Sequence, residues 1–286
     1  MSAIGHYIAR RYLARAKARH LREFPQVACF SFDLITDFIL LDGQYERDEL
    51  ALLARTVFPR IAPGAACLDV GANIGNHALH FARHFDRVVA FEPHPRVFRL
   101  LSFNAELAPN LTALNFGASS APGRVEVAED RRNLAASGIG RAGTGASVSF
   151  ELVRIDDVPE VRALPRISFI KVDVEGHEHA ALEGARETIL RHRPLIALEV
   201  LPAEIEGGTA ASVEFLKGLG YAHFYEPVAA GRLGRLPRGL RKAARSLTAL
   251  VTGRRPSKAE RLAPVARLEP RSYLMLLCAA EPLDLG

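Results

Sequence analysis

The sequence predicts an α/β fold, a mostly parallel sheet wound with helices on both faces. Two segments carry that expectation. The first is Leu68-Asp69-Val70-Gly71-Ala72-Asn73-Ile74-Gly75-Asn76, followed by Val88-Val89-Ala90-Phe91-Glu92-Pro93. An apolar strand runs into a glycine-spaced turn, a helix follows, and a second buried strand ends on a carboxylate. The second is Ile167-Ser168-Phe169-Ile170-Lys171-Val172-Asp173-Val174-Glu175-Gly176-His177-Glu178, again a β-rich run ending in acids, a glycine and a helix. In open α/β sheets, ligands bind beyond the carboxyl ends of the strands, where both segments place their acids.

The first turn is G-A-N-I-G rather than the G-x-G-x-x-G of dinucleotide binders. Gly71 and Gly75 allow positive φ and close approach of backbone to a ligand. Asn73 is one of the few other residues that tolerates the left-handed conformation. Asp69, at the end of the strand, suits a ligand carrying an ammonium or sulfonium group and would repel a pyrophosphate. Glu92 follows at about the separation at which an acid holds ribose hydroxyls. Together these residues favour S-adenosylmethionine over a nicotinamide dinucleotide. Gly71, Ala72, Asn73, Gly75 and Asn76 then form its cradle, the helix amides facing its carboxylate. The competing reading is a strand–turn–helix that serves packing alone.

The elements follow in order. Ile4 to Phe24 reads as a basic helix with a modest apolar stripe and lacks the apolar core of a secretory signal. Residues 27–41 alternate enough to suggest a short hairpin. A helix from Glu49 to Phe58 is stopped by Pro59. Strand 66–70 leads to a helix from about 76 to 85. Strand 87–92 leads to a helix from Pro95 to Leu107, with proline in its favoured first turn and Val97, Leu100, Leu101 and Phe103 on one buried face. Strand 111–117 follows. Residues 124–127 and 148–153 alternate in period two, flanking a glycine-rich stretch, 133–147, read as either a lid over a substrate or a surface loop. After the second acidic segment come a helix to His192, strand 195–200, a helix near 210–218 and a last strand near 272–278.

Asp173 and Glu175, two apart on an extended segment, should point the same way and face the crevice of Asp69. Glu175 or Glu178 could equally cap the following helix. Glu199 ends its own strand at the crevice edge. His177 has the chemistry of a base near neutral pH but lies where a helix starts.

The blocks DVGANIGNHALHFA, VVAFEPHPRVFRLLSFN, FIKVDVEGHEHAALEGA and RPLIALEV resemble the FkbM family of class I S-adenosylmethionine-dependent methyltransferases, over roughly residues 45–226 with a last strand near 272–280. The resemblance implies a Rossmann-like class I methyltransferase sheet, mostly parallel with an antiparallel last strand. It also implies O-methylation of a hydroxyl on a sugar, glycan, glycolipid or natural product. The turn after the third strand contacts adenine in such folds, which adds Gly117 and Ala118 as weaker cofactor candidates. The region before the core contributes to the cleft in the family, so Tyr45 and Glu46 are candidate lid or cofactor contacts, with a capping turn as the alternative. On this reading residues 1–44 form a basic helix and hairpin extension. Residues 45–286 form the methyltransferase domain, with a β insertion near 119–158 and a basic insertion near 228–271.

Methyl transfer from a sulfonium to a neutral hydroxyl needs positioning and a base. Asp173, Glu175, His177 and Glu199 are the candidates, Asp173 or Glu175 preferred. Paired carboxylates are compatible with a divalent cation, but no spacing calls for one, and no metal ligands are assigned.

With 286 residues and 49% hydrophobic content, the chain can bury one α/β core plus attachments. Three scattered cysteines, without metal spacing, fit reduced thiols in a cytoplasmic protein. No apolar run is long enough to span a membrane. The net charge is +5, but it is segregated. Arg10, Arg11, Arg15, Lys17, Arg19 and Arg22 oppose only Glu23 near the start, and a long run of arginines and lysines occupies 227–271 against Glu260 and Glu269. An acidic body with two basic attachments suggests an anionic partner or a peripheral membrane contact. Two other functions compete. A nucleic-acid methyltransferase would use the basic segments on phosphates, though the N/D-P-P-Y/F block of amino-directed enzymes is missing. A cofactor-binding module without catalysis would act through its basic arms, against which stand the intact Asp69, Glu92, Asp173 and Glu175.

Overall fold

The computed structural model describes residues 3–129, 139, 145–229 and 259–284. In chain order, α1 (Ala3–His20), α2 (Leu34–Asp42) and α3 (Arg47–Thr56) precede β1 (Ala66–Val70), α4 (Asn76–Phe81), β2 (Arg87–Phe91), α5 (Pro95–Ala105) and β3 (Leu111–Leu114). Next come β4 (Gly117–Ala118), β5 (Gly123–Ala128), β6 (Ser147–Val153), α6 (Pro159–Arg162), β7 (Ile167–Val172), α7 (Glu178–Glu183) and α8 (Arg186–His192). The chain continues through β8 (Leu195–Val200), α9 (Ala211–Gly218), β9 (His223–Val228), β10 (Arg261–Pro264) and β11 (Tyr273–Ala279). Two compact units result: Met1–Arg47 with Pro63–Pro194, and Asp48–Ala62 with Leu195–Gly286.

In the first unit the strand order is β7-β1-β2-β3, and every pair is parallel. Parallel neighbours need a crossover, which α4 supplies between β1 and β2 and α5 between β2 and β3. A strand with neighbours on both edges and helices against its faces must be apolar throughout, and all five residues of β1 are buried. Asp69 is the exception in chemistry, and the register sets it beside Ala90 of β2 and Lys171 of β7. A separate three-stranded sheet, ordered β4-β6-β5, contains the two period-two strands expected from the sequence, β5 and β6 running antiparallel. The glycine-rich stretch between them lies almost wholly outside the described residues.

Three local expectations are corrected. Residues 27–41 are not a hairpin, because α2 occupies their second half. The Asp33 side chain accepts from the Ile35 amide, and Gly43, at φ 85, closes the helix by donating to the Ile39 carbonyl. Those two caps override the β propensity of Ile35, Phe38 and Ile39. The buried stripe of α5 is Val97, Leu101 and Asn104, while Phe103 is 60% exposed, a phase error of one residue. The helix expected between Glu178 and His192 is two helices. At the break, the carbonyl of Ser119 packs so close to Gly184 that a Cβ there would collide with it. The α8 start is capped by Asp156, which accepts from the amides of Glu187 and Thr188 at 2.9 Å each.

In the second unit the strands run β8-β11-β9-β10, all antiparallel, so the antiparallel pairing of the last strands is as expected. β10 was not expected; Arg55 of α3 supports the chain entering it through the carbonyls of Ala259 and Glu260. Most of the basic insertion expected near 228–271 lies outside the described residues.

Asn104 ties the first unit together. Its Oδ1 accepts from the Ala28 amide at 2.7 Å, and its Nδ2 donates to the carbonyls of Ala28 (2.9 Å) and Ile74 (2.7 Å). One fully buried side chain thus holds both the incoming chain and the glycine turn. Asn104→Ala leaves those backbone groups unpaired, and urea denaturation should record a loss on the order of 3 kcal/mol; a change under about 1 kcal/mol would mean that water replaces the amide.

Candidate functional site

The β1–α4 turn adopts the strained geometry its residues anticipate. Gly71, Asn73 and Gly75 have φ of 84°, 53° and 92°. Gly71 has a second reason to be glycine, since a Cβ there would run into the carbonyl oxygen of Asp173. The Asp173 amide also donates to the Val70 carbonyl at 3.0 Å, so the ends of β1 and β7 are stapled together. Ala72 and Gly71 both donate to the Phe91 carbonyl, fixing the turn to the end of β2.

Glu92 sits just past β2 and is buried. Its Oε2 accepts from the Asn73 amide at 3.0 Å and its Oε1 from the His94 amide at 2.8 Å. Burial pushes its carboxyl up to about 7, against the pull of those two amides and with help from the charges of Asp69 and Asp173. Asp69 has no exposure, and the Ala78 amide of α4 is a backbone group that helps hold its charge. Burial raises its carboxyl, opposed by the Lys171 ammonium and by His77. Asp69 precedes the turn, Asp173 bonds Val70 through its amide and Glu92 accepts from the Asn73 amide, so these three acids lie around one turn.

The sequence reading passed over the cation among them. Lys171 is 3% exposed, and its Nζ lies 2.9 Å from Asp173 Oδ2. Burial works against its charge, but Asp173, Asp69 and Glu46 outweigh it and hold the ammonium above the ordinary lysine range. A signal was available: Lys171 is the one charged residue inside the apolar run Ile167–Val172.

Residues 44–46 clamp the start of α4. The Tyr45 amide donates to Asn76 Oδ1 at 3.0 Å, and Asn76 Nδ2 returns a bond to the Tyr45 carbonyl at 3.1 Å. Glu46, at φ 52°, pairs with His77 at 2.9 Å, both side chains buried. The Asn76 side chain is therefore committed to Tyr45, and the turn serves as a clamp. A groove opens beside it, lined by Ile39, Ile74, Leu79, Gln44, Asn76 and Arg83 among others, and Asp69, Glu92 and Asp173 are not among its lining residues.

The 173–178 segment departs from the extended form assumed for it. β7 ends at Val172, one residue before Asp173, and Glu175 and Gly176 turn with φ of 58° and 98°. Strand alternation therefore does not relate Asp173 to Glu175, but the turn still brings them together, a carboxylate oxygen of each lying within 4.8 Å of the other. Glu178 is fully buried and accepts from the amides of Val174 and Gly176, capping its own loop. His177 begins α7, with Nε2 3.0 Å from the Ser119 hydroxyl, and burial lowers its pKa, which favours the neutral ring. Gly117 and Ala118 lie buried on β4, immediately before Ser119. Glu199 belongs to the second unit, buried on β8.

The family model of the Methyltransferase FkbM domain matches residues 69–222, which begins at Asp69 and takes in every site element just described from β1 onward. The hexuronic acid methyltransferase AglP of Haloferax volcanii is 36% identical over 117 residues, 41% of this chain and 48% of that protein. Methyltransferase sdnD of Sordaria araneosa is 30% identical over 184 residues, 52% of this chain and 70% of its own length. The 31-O-demethyl-FK506 methyltransferase FkbM of Streptomyces tacrolimicus is 27% identical over 197 residues, 56% of this chain and 74% of its length. The match thus spans about half the length of the Haloferax relative and about three quarters of the Streptomyces one. With the family model covering more than half of its length, the chain belongs to the FkbM methyltransferase family.

Proposed function

We propose that the protein transfers a methyl group from S-adenosylmethionine to a hydroxyl of a sugar, glycan, glycolipid or natural product. The observation that carries the proposal is the placement of Asp69, Glu92 and Asp173 around the glycine turn, through the Asn73 amide and the Asp173–Val70 bond, inside the matched family region. The relatives' names, a hexuronic acid methyltransferase and a 31-O-demethyl-FK506 methyltransferase, support a hydroxyl-bearing acceptor.

The residues fit the donor. Asp69 is a fully buried carboxylate whose charge burial disfavours, a cost that a bound ammonium would relieve. Glu92 already accepts two amides, and its remaining lone pairs are available to a ribose diol. When bound, S-adenosylmethionine supplies the electrophilic methyl; the protein aligns the acceptor and takes its proton. Asp173, whose side chain is 26% exposed, is the preferred base, with Glu175 second. His177 has one ring nitrogen occupied by Ser119 and is the weaker candidate, as is Glu199.

We further propose that the basic arms meet an anionic acceptor or a membrane face. Arg10, Arg11, Arg15, Lys17, Arg19 and Arg22 are all exposed on and just after α1, which supports that reading. No described helix is long and apolar enough to cross a membrane. Three free cysteines support a reducing, cytoplasmic setting.

The acceptor class is found by incubating the protein with methyl-labelled S-adenosylmethionine and fractionated extract, with uronic-acid glycans as the first defined probe. Label in glycan, lipid or small-molecule hydroxyls is expected. Label confined to RNA or DNA would transfer the chain to the nucleic-acid class, and binding without any label would make it a non-catalytic module. Donor affinity should follow Glu92. Protonation of its carboxyl near pH 7 removes the ribose acceptor, so calorimetry should find affinity about tenfold weaker at pH 6 than at pH 8. Glu92→Ala should abolish both the binding and its pH step, whereas an affinity flat from pH 6 to 8 would remove Glu92 from the ribose. Asp173→Ala should cut turnover by about a hundredfold or more with donor affinity largely kept; equal loss of both would place Asp173 on the donor side.

A further inference from the structure

We infer that Lys171 is a positioning residue of this site: its buried ammonium fixes the Asp173 carboxylate and ties it to Asp69 across the β1–β7 pair. The inference rests on the reading of these acids as donor- and acceptor-facing groups.

Lys171 stands inside an otherwise apolar strand, where a leucine or isoleucine would pack at no electrostatic cost. Burying an ammonium costs several kcal/mol unless carboxylates compensate it. Its compensation comes from three elements of the first unit. Asp173, just beyond β7, supplies the direct ion pair at 2.9 Å. Asp69 is the register partner on β1. Glu46, from the turn before α3, adds its charge and is itself paired with His77 of α4 at 2.9 Å. From the end of β2, Glu92 feels both Asp69 and Asp173.

The exposure is asymmetric in the direction that positioning requires. The Lys171 side chain is 3% exposed and that of Asp173 is 26% exposed. The cation is thus an interior anchor, and the carboxylate it grips is partly exposed. Without the anchor, the like-charged acids would repel one another and take up protons. Asp173 would then lose both its aim and its capacity to accept a proton from a hydroxyl.

The test uses Lys171→Met, Lys171→Gln and Lys171→Arg in the full chain. In the first arm, thermal melting without ligand is followed from pH 5 to 8.5. Loss of the ammonium raises the carboxyl pKa values in the folded state, so the folded state binds more protons than the unfolded one. Stability of the Met and Gln variants should therefore fall with rising pH more steeply than that of the parent, while Lys171→Arg tracks the parent. In the second arm, S-adenosylmethionine affinity is measured by calorimetry, and methyl transfer with the acceptor fraction that the parent protein labels. Lys171→Gln should lose about tenfold or more in kcat with a smaller change in donor affinity, and Lys171→Arg should restore most of it.

Parallel pH–stability profiles for parent and Lys171→Gln would overturn the anchoring role, and unchanged kcat would overturn the positioning role. Should the parent bind no S-adenosylmethionine, the proposed function falls, and the first arm still decides whether Lys171 anchors the acids. Gln keeps a donor for Asp173 without the charge, so it remains informative if Lys171→Met does not fold.

Discussion

The site depends on one close passage of backbone against backbone. Asp173 leaves β7 with its amide bonded to the Val70 carbonyl and its own carbonyl in the space where Gly71 lacks a side chain. That contact forces the ends of β1 and β7 into register and turns the chain sharply at both. Everything chemical follows from where it sets the acids. Asp69 lies two residues before Gly71, Asp173 is the contacting residue, and Glu92 reaches the same turn through the Asn73 amide. A residue larger than glycine at position 71 would meet a rigid carbonyl, and the left-handed φ of 84° adds its own cost to any L side chain.

Concentrating carboxylates at one sheet end creates an electrostatic problem that the fold solves in two ways. Lys171 neutralises part of the charge from inside β7, with Asp69 beside it and Asp173 in contact. Backbone amides take up another part, two of them donating to Glu92. The remaining cost appears as the raised carboxyl pKa values of Asp69 and Glu92. In the proposed function these groups meet the ammonium and the ribose diol of S-adenosylmethionine. Around them the clamps are neutral or paired: Tyr45 with Asn76, Glu46 with His77, Ser119 with His177.

Much of this was legible in the chain, for identifiable reasons. The buried strands of the parallel sheet announce themselves because a strand covered on both faces has no polar positions to spare. Asn73 and the two glycines announce a turn because few residues tolerate the left-handed region they occupy. The hairpin at 27–41 failed because apolar alternation over a short run does not separate strand from helix, and caps at Asp33 and Gly43 decided the matter. Phe103 failed because one helical step moves a side chain by about 100°. Asp173 and Glu175 do come within 4.8 Å of one another, but through a turn at a φ of 58°, which an acid adopts rarely, rather than by strand alternation.

The sequence by itself determined the α/β class, the parallel strands and the turn, the acids at the strand ends and the family. Each is a local property: periodicity, glycine spacing, or a side chain at a strand's end. Only the tertiary structure decided what each polar group does. The partners themselves, Ala28 and Ile74 for Asn104, the α8 amides for Asp156, the Val174 and Gly176 amides for Glu178 and Asp173 for Lys171, were set by the fold. Burial sets the cost of leaving a polar group unpaired, and the partner that meets it is fixed by chain distant in sequence.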